Sequence, residues 1–303
     1  MNRFLSLFFL FIITTSLISC EKDEYFIEEL VNTESEDEYV IDGRIGIKIS
    51  KYMNQSSAGY VQGADCYGDY LFQIFNANAA VNIYNLRKKV FIGSVELTSK
   101  SSNHCNNVSF SRIFFKENDE FPLLYVSGSG SGTYNHVQVY RITRNAFSFS
   151  LEQVQEIVFP KSSPHNHLYW TDVMMDSEYM YVSSAAHGGG GRITIFHIPS
   201  LEDGEVILND DDIVDSFEVD KFTHHQGATI FERMLYIFDG VPQWGDTNYL
   251  RIIDLEKKVD FAKINITEKG LKAEPEGAFV YNGRLFCATN NSGILSIDLI
   301  YER

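Results

Sequence analysis

The sequence predicts an all-β chain, and three observations carry that prediction. Its apolar residues are largely aromatic or β-branched, with 17 Tyr and 23 Phe among them, and such side chains fit a pleated sheet better than a helix. They fall in short runs separated by turns rich in Gly, Asn and Asp. One pattern also recurs in order: polar entry, strand, tight turn, strand, polar loop, strand.

The fullest copy lies at 223–258. Strands are predicted at Gly227–Phe231, Met234–Phe238 and Tyr249–Asp254. A tight turn at Glu232–Arg233 joins the first two, and the long loop Asp239–Asn248 joins the second to the third. Leu255–Lys258 then turns into a fourth strand, Val259–Ile266. A second copy, Glu274–Leu299, repeats the entry as Pro275-Glu276-Gly277-Ala278-Phe279 against His225-Gln226-Gly227-Ala228-Thr229. Its Asn282-Gly283 pair is a two-residue hairpin signal, because both residues tolerate positive φ. A third copy, Val61–Leu97, opens on Gln62-Gly63-Ala64. Looser copies start near His104 and Trp170, with strands at Leu123–Ser127, Val137–Ile142, Tyr179–Ser183 and Arg192–Ile198.

Equivalent points fall at residues 62, 106, 171, 226 and 276. One meander cannot bury both faces, whereas meanders stacked around an axis can. The prediction is therefore a five-bladed β-propeller of four-stranded antiparallel meanders. The last unit shows only three strands before Arg303, while Gly43–Ser50 is an unassigned strand. That segment is predicted to complete the last blade. An irregular β-sandwich is the alternative, and five ordered copies disfavour it.

Met1–Ser19 carries one basic residue, Arg3, and an apolar stretch, Phe4–Leu17, too short to span a bilayer comfortably. Leu17-Ile18-Ser19-Cys20 resembles the bacterial lipobox. The resemblance implies that Cys20 is lipidated and residues 1–19 are removed. Glu21–Glu38 holds nine acids against one Lys. Such a run stays solvated, so 20–42 is expected to be lipidated Cys plus acidic tether, and 43–303 the propeller. Phe26–Val31 is a short helix candidate within the tether. The acidic tract resembles the export signal of Bacteroidota surface lipoproteins, which implies an outer-membrane anchor and an outward-facing domain.

The formal charge is −16, and no basic patch is visible. Nucleic-acid partners are therefore not expected. Cys66, Cys105 and Cys287 show no CxxC spacing; Cys66 and Cys287 read as buried thiols, and Cys66–Cys105 is the one bridge considered. There is no HExxH and no GxSxG, and the GSGSG at 128–132 lacks a following Lys. No cofactor and no metal are expected. His104, His165, His167 and His225 are the weak exception, as loop histidines that could meet near the axis.

Two loop sets share one end of a propeller: those entering each inner strand and those joining the second and third strands. The entry set contains Gln62, Asp65, His104, Asn106, His165, Asn166, His167, Asp172, His224, His225, Gln226, Glu274 and Glu276. The second set contains Gly128–Asn135 with Tyr134, His187–Gly191, and the loop bearing Trp244. The short pairs Asn76–Asn78 and Asn290-Asn291 read as turns. Flat aromatic faces beside amides and carboxylates suit a sugar ring. Ligand-binding candidates are thus Gln62, His104, Asn106, Tyr134, His165, His187, His225, Gln226, Trp244 and Glu276. Catalytic candidates are Asp65, Asp172 and Glu276, because glycosidases need two carboxyls roughly 5–10 Å apart.

Residues 43–303 resemble β-propeller lipoproteins of the Bacteroidota surface, and YLRIIDLEKK at 249–258 resembles the repeat core of LVIVD-type propellers. The expected function is capture of an extracellular ligand, a glycan above others, at the loop face. The alternatives are a glycoside hydrolase using axial carboxylates and a scaffold that docks an envelope protein.

Overall fold

In the meander at 223–265, alternation and turn chemistry place every strand end. Glu232 and Arg233 take φ of 49° and 63°, and Asn282 and Gly283 take 50° and 71°. Consecutive left-handed residues give the turn whose twist matches that of the flanking strands. The second pair was legible from Asn-Gly; the first reaches the same geometry without glycine.

A computed structural model describes residues 45–55, 60–75, 80–97, 105–129, 134–146, 148–160, 172–185, 190–201 and 204–301. Among these, the strands form five sheets, each containing a four-stranded antiparallel run. Strand β1 (Ile45–Met53) comes first in the chain but joins the last sheet. Blade 1 is β2 (Val61–Tyr67), β3 (Tyr70–Phe75), β4 (Ala80–Asn85) and β5 (Val90–Glu96). Blade 2 is β6 (Cys105–Phe110), β7 (Leu124–Ser129), β8 (Tyr134–Arg144) and β9 (Phe149–Pro160). Blade 3 is β10 (Asp172–Met175), β11 (Tyr179–Ala185), β12 (Gly191–His197) and, after the short β13 (Glu205–Ile207), β14 (Ile213–Val219). Blade 4 is β15 (His225–Phe231), β16 (Met234–Asp239), β17 (Tyr249–Asp254) and β18 (Val259–Asn265). Blade 5 is β19 (Pro275–Tyr281), β20 (Arg284–Thr289), β21 (Gly293–Tyr301) and β1.

The chain is a five-bladed β-propeller, closed as its sequence predicts. β1 pairs antiparallel with β21 from Ile45↔Tyr301 to Met53↔Ile294. The first strands of the five meanders contact one another and form the axis.

Five apolar clusters fill the five blade boundaries. Phe72 and Ile83 of blade 1 pack with Val108 and Tyr140 of blade 2. Tyr125 and Ile157 pack with Val173 and Val182 of blade 3. Met174 and Ile193 meet Leu235 and Ile237 of blade 4. Phe238 and Leu250 meet Ala278 and Ile297 of blade 5. Phe279 and Phe286 meet Leu71 and Tyr84 of blade 1, with Met53 of β1 sealing the seam. Each buried large side chain contributes roughly 1.5–3 kcal/mol. No boundary is left open, as a closed ring requires.

The sequence did not indicate β13. It lies between β12 and β14 in the chain but pairs parallel with β9, Glu205↔Glu156 through Ile207↔Val158, covering the outer edge of blade 2. Over those three residues the outer ladder of β9 is occupied. No disulfide joins the three described cysteines, so the Cys66–Cys105 bridge is absent. Cys105 and Cys287 are buried, while Cys66 is only half-buried and its Sγ donates to the Val280 carbonyl at 3.1 Å.

Candidate functional site

The entry ends of the inner strands share one irregularity. Pairing with the second strand slips by one residue at Gln62, at Asn106, across Gln226–Gly227 and at Glu276. An extra residue on one strand leaves it out of the ladder and re-aims its side chain. Four of the five repeat positions found in the sequence are therefore bulges, and each carries an amide or a carboxyl.

One residue further on, the strands close against each other. A Cβ on Gly227 would lie 2.4 Å from the Gly277 Cα, one on Gly277 2.7 Å from Ala64, and one on Gly63 2.7 Å from the Asn107 Cα. The repeated Gln/Glu-Gly pair thus has a cause: Gly permits contact between blades, and the residue before it is turned out. Blade 2 has Asn107 instead, fully buried, whose amide donates to the carbonyls of Val173 at 3.1 Å and Ala228 at 3.0 Å. This layer forms a floor beneath the polar residues.

Above it, Glu276 is the centre of a hydrogen-bonded cluster. The Asn290 amide donates to Glu276 Oε1 at 2.7 Å and to Glu274 Oε2 at 2.8 Å. Gln62 donates to Glu276 Oε1 at 3.4 Å, Gln226 to Glu274 Oε1 at 3.3 Å, and Gln243 to Glu274 Oε2 at 2.6 Å. In each of these contacts the amide N–H donates and a carboxyl oxygen accepts. Glu276 is 2% exposed, and its Oε2 takes no donor. Burial first, then the neighbouring Glu274 and the Asp172 charge, raise the Glu276 carboxyl well above the usual range. Glu274 itself is half-buried, so the cluster runs from the protein surface inward.

A second buried pair joins blades 3 and 4. His225 Nδ1 lies 3.0 Å from Asp172 Oδ2, with side chains 1% and 2% exposed, and His225 Nε2 has no partner. Burial raises the Asp172 carboxyl, and His225 partly offsets this. The Phe222 ring lies edge-on to His225, and the fully buried Arg251 guanidinium stacks on Phe222.

The loop between β16 and β17 supplies the rim. Pro242 starts a single 3-10 turn, Pro242–Trp244, and Gly245 ends it at φ +90°. Trp244 is 70% exposed, with its ring 4.9 Å from His224. His224 Nδ1 lies 2.7 Å from Asp246 Oδ2, which also accepts from the Val241 N–H at 3.0 Å. The indole is therefore held on an ordered turn, and its neighbour Gln243 reaches the Glu274 carboxylate.

Asp65 stands elsewhere. It lies three residues beyond Gln62, about 10 Å along the strand. Its carboxylate accepts the Cys66 N–H at 2.8 Å and, across the blade boundary, the Phe110 N–H at 2.7 Å. Burial raises this group to about 7 against those hydrogen bonds. The carboxyl thus ties strands together, whereas Asp172 and Glu276 lie at the entry ends of their strands. Asn106 is buried at its bulge. Tyr134 begins β8, paired with Pro160. His104, His165, His167, His187, Cys20 and 26–31 lie outside the described residues.

Two members lie outside the predicted ligand-binding set. Asn291, at φ 69°, is the turn residue, while Asn290 joins the carboxyls. Gln243, next to Trp244, donates to Glu274. The Glu274-Pro275-Glu276 spacing was the available signal, since alternate residues of extended chain share a side.

No known protein family matches the chain, and no curated protein does. Solved structures do resemble it. Glutaminyl cyclase from Myxococcus xanthus superposes with a TM-score of 0.55 at 12% identity, over 85% of this chain and 97% of that one. The PQQ-bound aldose sugar dehydrogenase of Streptomyces coelicolor gives 0.52 at 10% identity, over 85% and 99%. At such identity the likeness establishes architecture alone, and the architecture is that of a β-propeller.

Proposed function

We propose that this protein is a lipid-anchored, outward-facing propeller that binds an extracellular saccharide at the end formed by the entry strands. The observation that carries the reading is the continuity from Trp244, exposed on an ordered turn, through Gln243 and Glu274 to the buried Glu276 with its unpartnered oxygen. An indole face takes the C–H face of a sugar, while amides and carboxyls take its hydroxyls. The lipobox-like Leu17–Cys20 and the acidic run after it support the anchor.

The test is a glycan array probed with residues 43–303, followed by calorimetry on any hit. Trp244→Ala should weaken binding at least tenfold without changing the melting temperature. Loss of no affinity, or no hit on the array, rejects the reading. Globomycin sensitivity of processing and labelling of intact cells test the anchor and its orientation.

A hydrolase is the second reading. It is favoured by one observation: burial raises the Glu276 carboxyl, and the nearby Glu274 and a second buried carboxyl, Asp172, raise it further. Release of reducing sugar by the wild type, abolished in Glu276→Gln, would establish it; binding without turnover rejects it.

A further inference from the structure

We infer that the Glu274–Glu276 pair is the seat of a cationic group on the ligand, a protonated primary amine, and that the saccharide class taken is an amino sugar with its amine free. The inference rests on the saccharide reading for the sugar and on the site's own charge balance for the amine.

Glu274 and Glu276 share the Asn290 amide, and the charge of Asp172, at the start of the blade 3 inner strand, acts on Glu276. Besides the hydrogen bond that the two glutamates share, their donors are neutral amides, from Gln62, Gln226, Gln243 and Asn290. Among the described residues no Lys or Arg pairs with any of the three, and the one ion-pair partner, His225, serves Asp172. Buried carboxyls are ordinarily matched by a fixed cation. Here the first coordination is complete except for charge, and except for Glu276 Oε2, which is buried and lacks a donor.

The chemistry that fits is a group bringing both a positive charge and several N–H donors. An ammonium has three donors on one atom. A hydroxyl brings a donor without charge. A metal ion needs converging oxygen or nitrogen lone pairs, yet the amides here present N–H groups to the carboxyls. Among the described residues no set of three His, Cys, Asp or Glu is arranged to hold one. Before the ligand arrives, a proton held by the pair meets the like-charge problem; Glu274, Asp172 and the Cys287 thiol are the titratable groups sensing Glu276. The ammonium takes that proton's place, and the proton passes to solvent.

The experiment is calorimetry with chitosan tetramer, N-acetylchitotetraose and cellotetraose, each in two buffers of different ionisation enthalpy at neutral pH. The free-amine tetramer should bind at least tenfold tighter than either neutral one, with proton release visible as a buffer-dependent heat. Glu274→Gln, at a half-buried position where folding is checked by circular dichroism, should remove that preference. Equal or tighter binding of the neutral tetramers overturns the amine seat and leaves the saccharide reading standing. Binding of spermidine or a lysine-terminated peptide, with no saccharide bound, supports the seat and rejects the saccharide. Binding of no amine probe overturns the inference.

Discussion

His225 and Asp172 meet across the boundary of blades 3 and 4, Nδ1 to Oδ2 at 3.0 Å, with both side chains closed off from water. Removing one partner of a buried pair leaves the other stranded, which typically costs about 3–5 kcal/mol. His225→Ala should therefore lower the urea midpoint sharply. Asp172→Asn keeps a hydrogen-bonding oxygen and should cost less, about 1–2 kcal/mol. Equal midpoints for wild type and His225→Ala would show the pair to be energetically idle.

Stability should fall as pH rises from about 5 to 8, contrary to the habit of most acidic proteins. Asp65, Asp172 and Glu276 are all raised in the fold. A carboxyl raised on folding binds more protons in the native state, so its contribution is full below the unfolded value and lost as pH climbs through the folded one. For Asp65 that window runs from 3.8 to about 7. Asp65→Asn should reduce the fall in unfolding free energy between pH 5 and 7 by up to about 3 kcal/mol. A wild-type midpoint that rises steadily from pH 5 to 8 contradicts the assignment.

The floor glycines should tolerate no methyl group. Gly227→Ala would set a Cβ 2.4 Å from backbone, where nothing flexible can yield, and the expected loss is about 3 kcal/mol. Gly245→Ala meets open space and bears only the strain of its φ of +90°, about 1 kcal/mol. Thermal melts of the two variants, compared at one pH, separate close packing from backbone strain. The reverse order would be incompatible with a packed axis.

Ser50 and Ser296 test the closure. Their cross-strand bond, Oγ to carbonyl at 3.3 Å, belongs to the β1–β21 ladder. Deleting residues 1–53 should leave β21 without its partner and Phe286 without Tyr52, giving a chain that aggregates or melts well below the intact protein. Supplying residues 45–53 as a peptide should restore part of the lost melting temperature. A truncated chain as stable as the full one would refute the latch.

What the sequence disclosed, and what it hid, follow one line. Repeats are written in strands and turns, so Gln62-Gly63-Ala64, Gln226-Gly227-Ala228 and Asn282-Gly283 could be read directly. Partnerships between distant residues are not. Nothing local marks Asn290 as the bridge between Glu274 and Glu276, or Arg251 as fully buried against Asp260. β13 escaped because three residues in a polar connection carry too little pattern. Asp65 misled because it stands three residues beyond Gln62, where its carboxylate accepts the Cys66 and Phe110 N–H groups, and the second of these partners lies 45 residues away in the sequence.

The first described strand pairs only with the last described one, at residues 246 positions apart. The ring therefore cannot shut until β21 has been made. Until the final blade emerges, β1 travels as an unclaimed strip with an affinity for sheet edges, including those of sister chains. Release in one piece is thus a condition of correct assembly, and trimming a few residues from the far end would unfasten the near one.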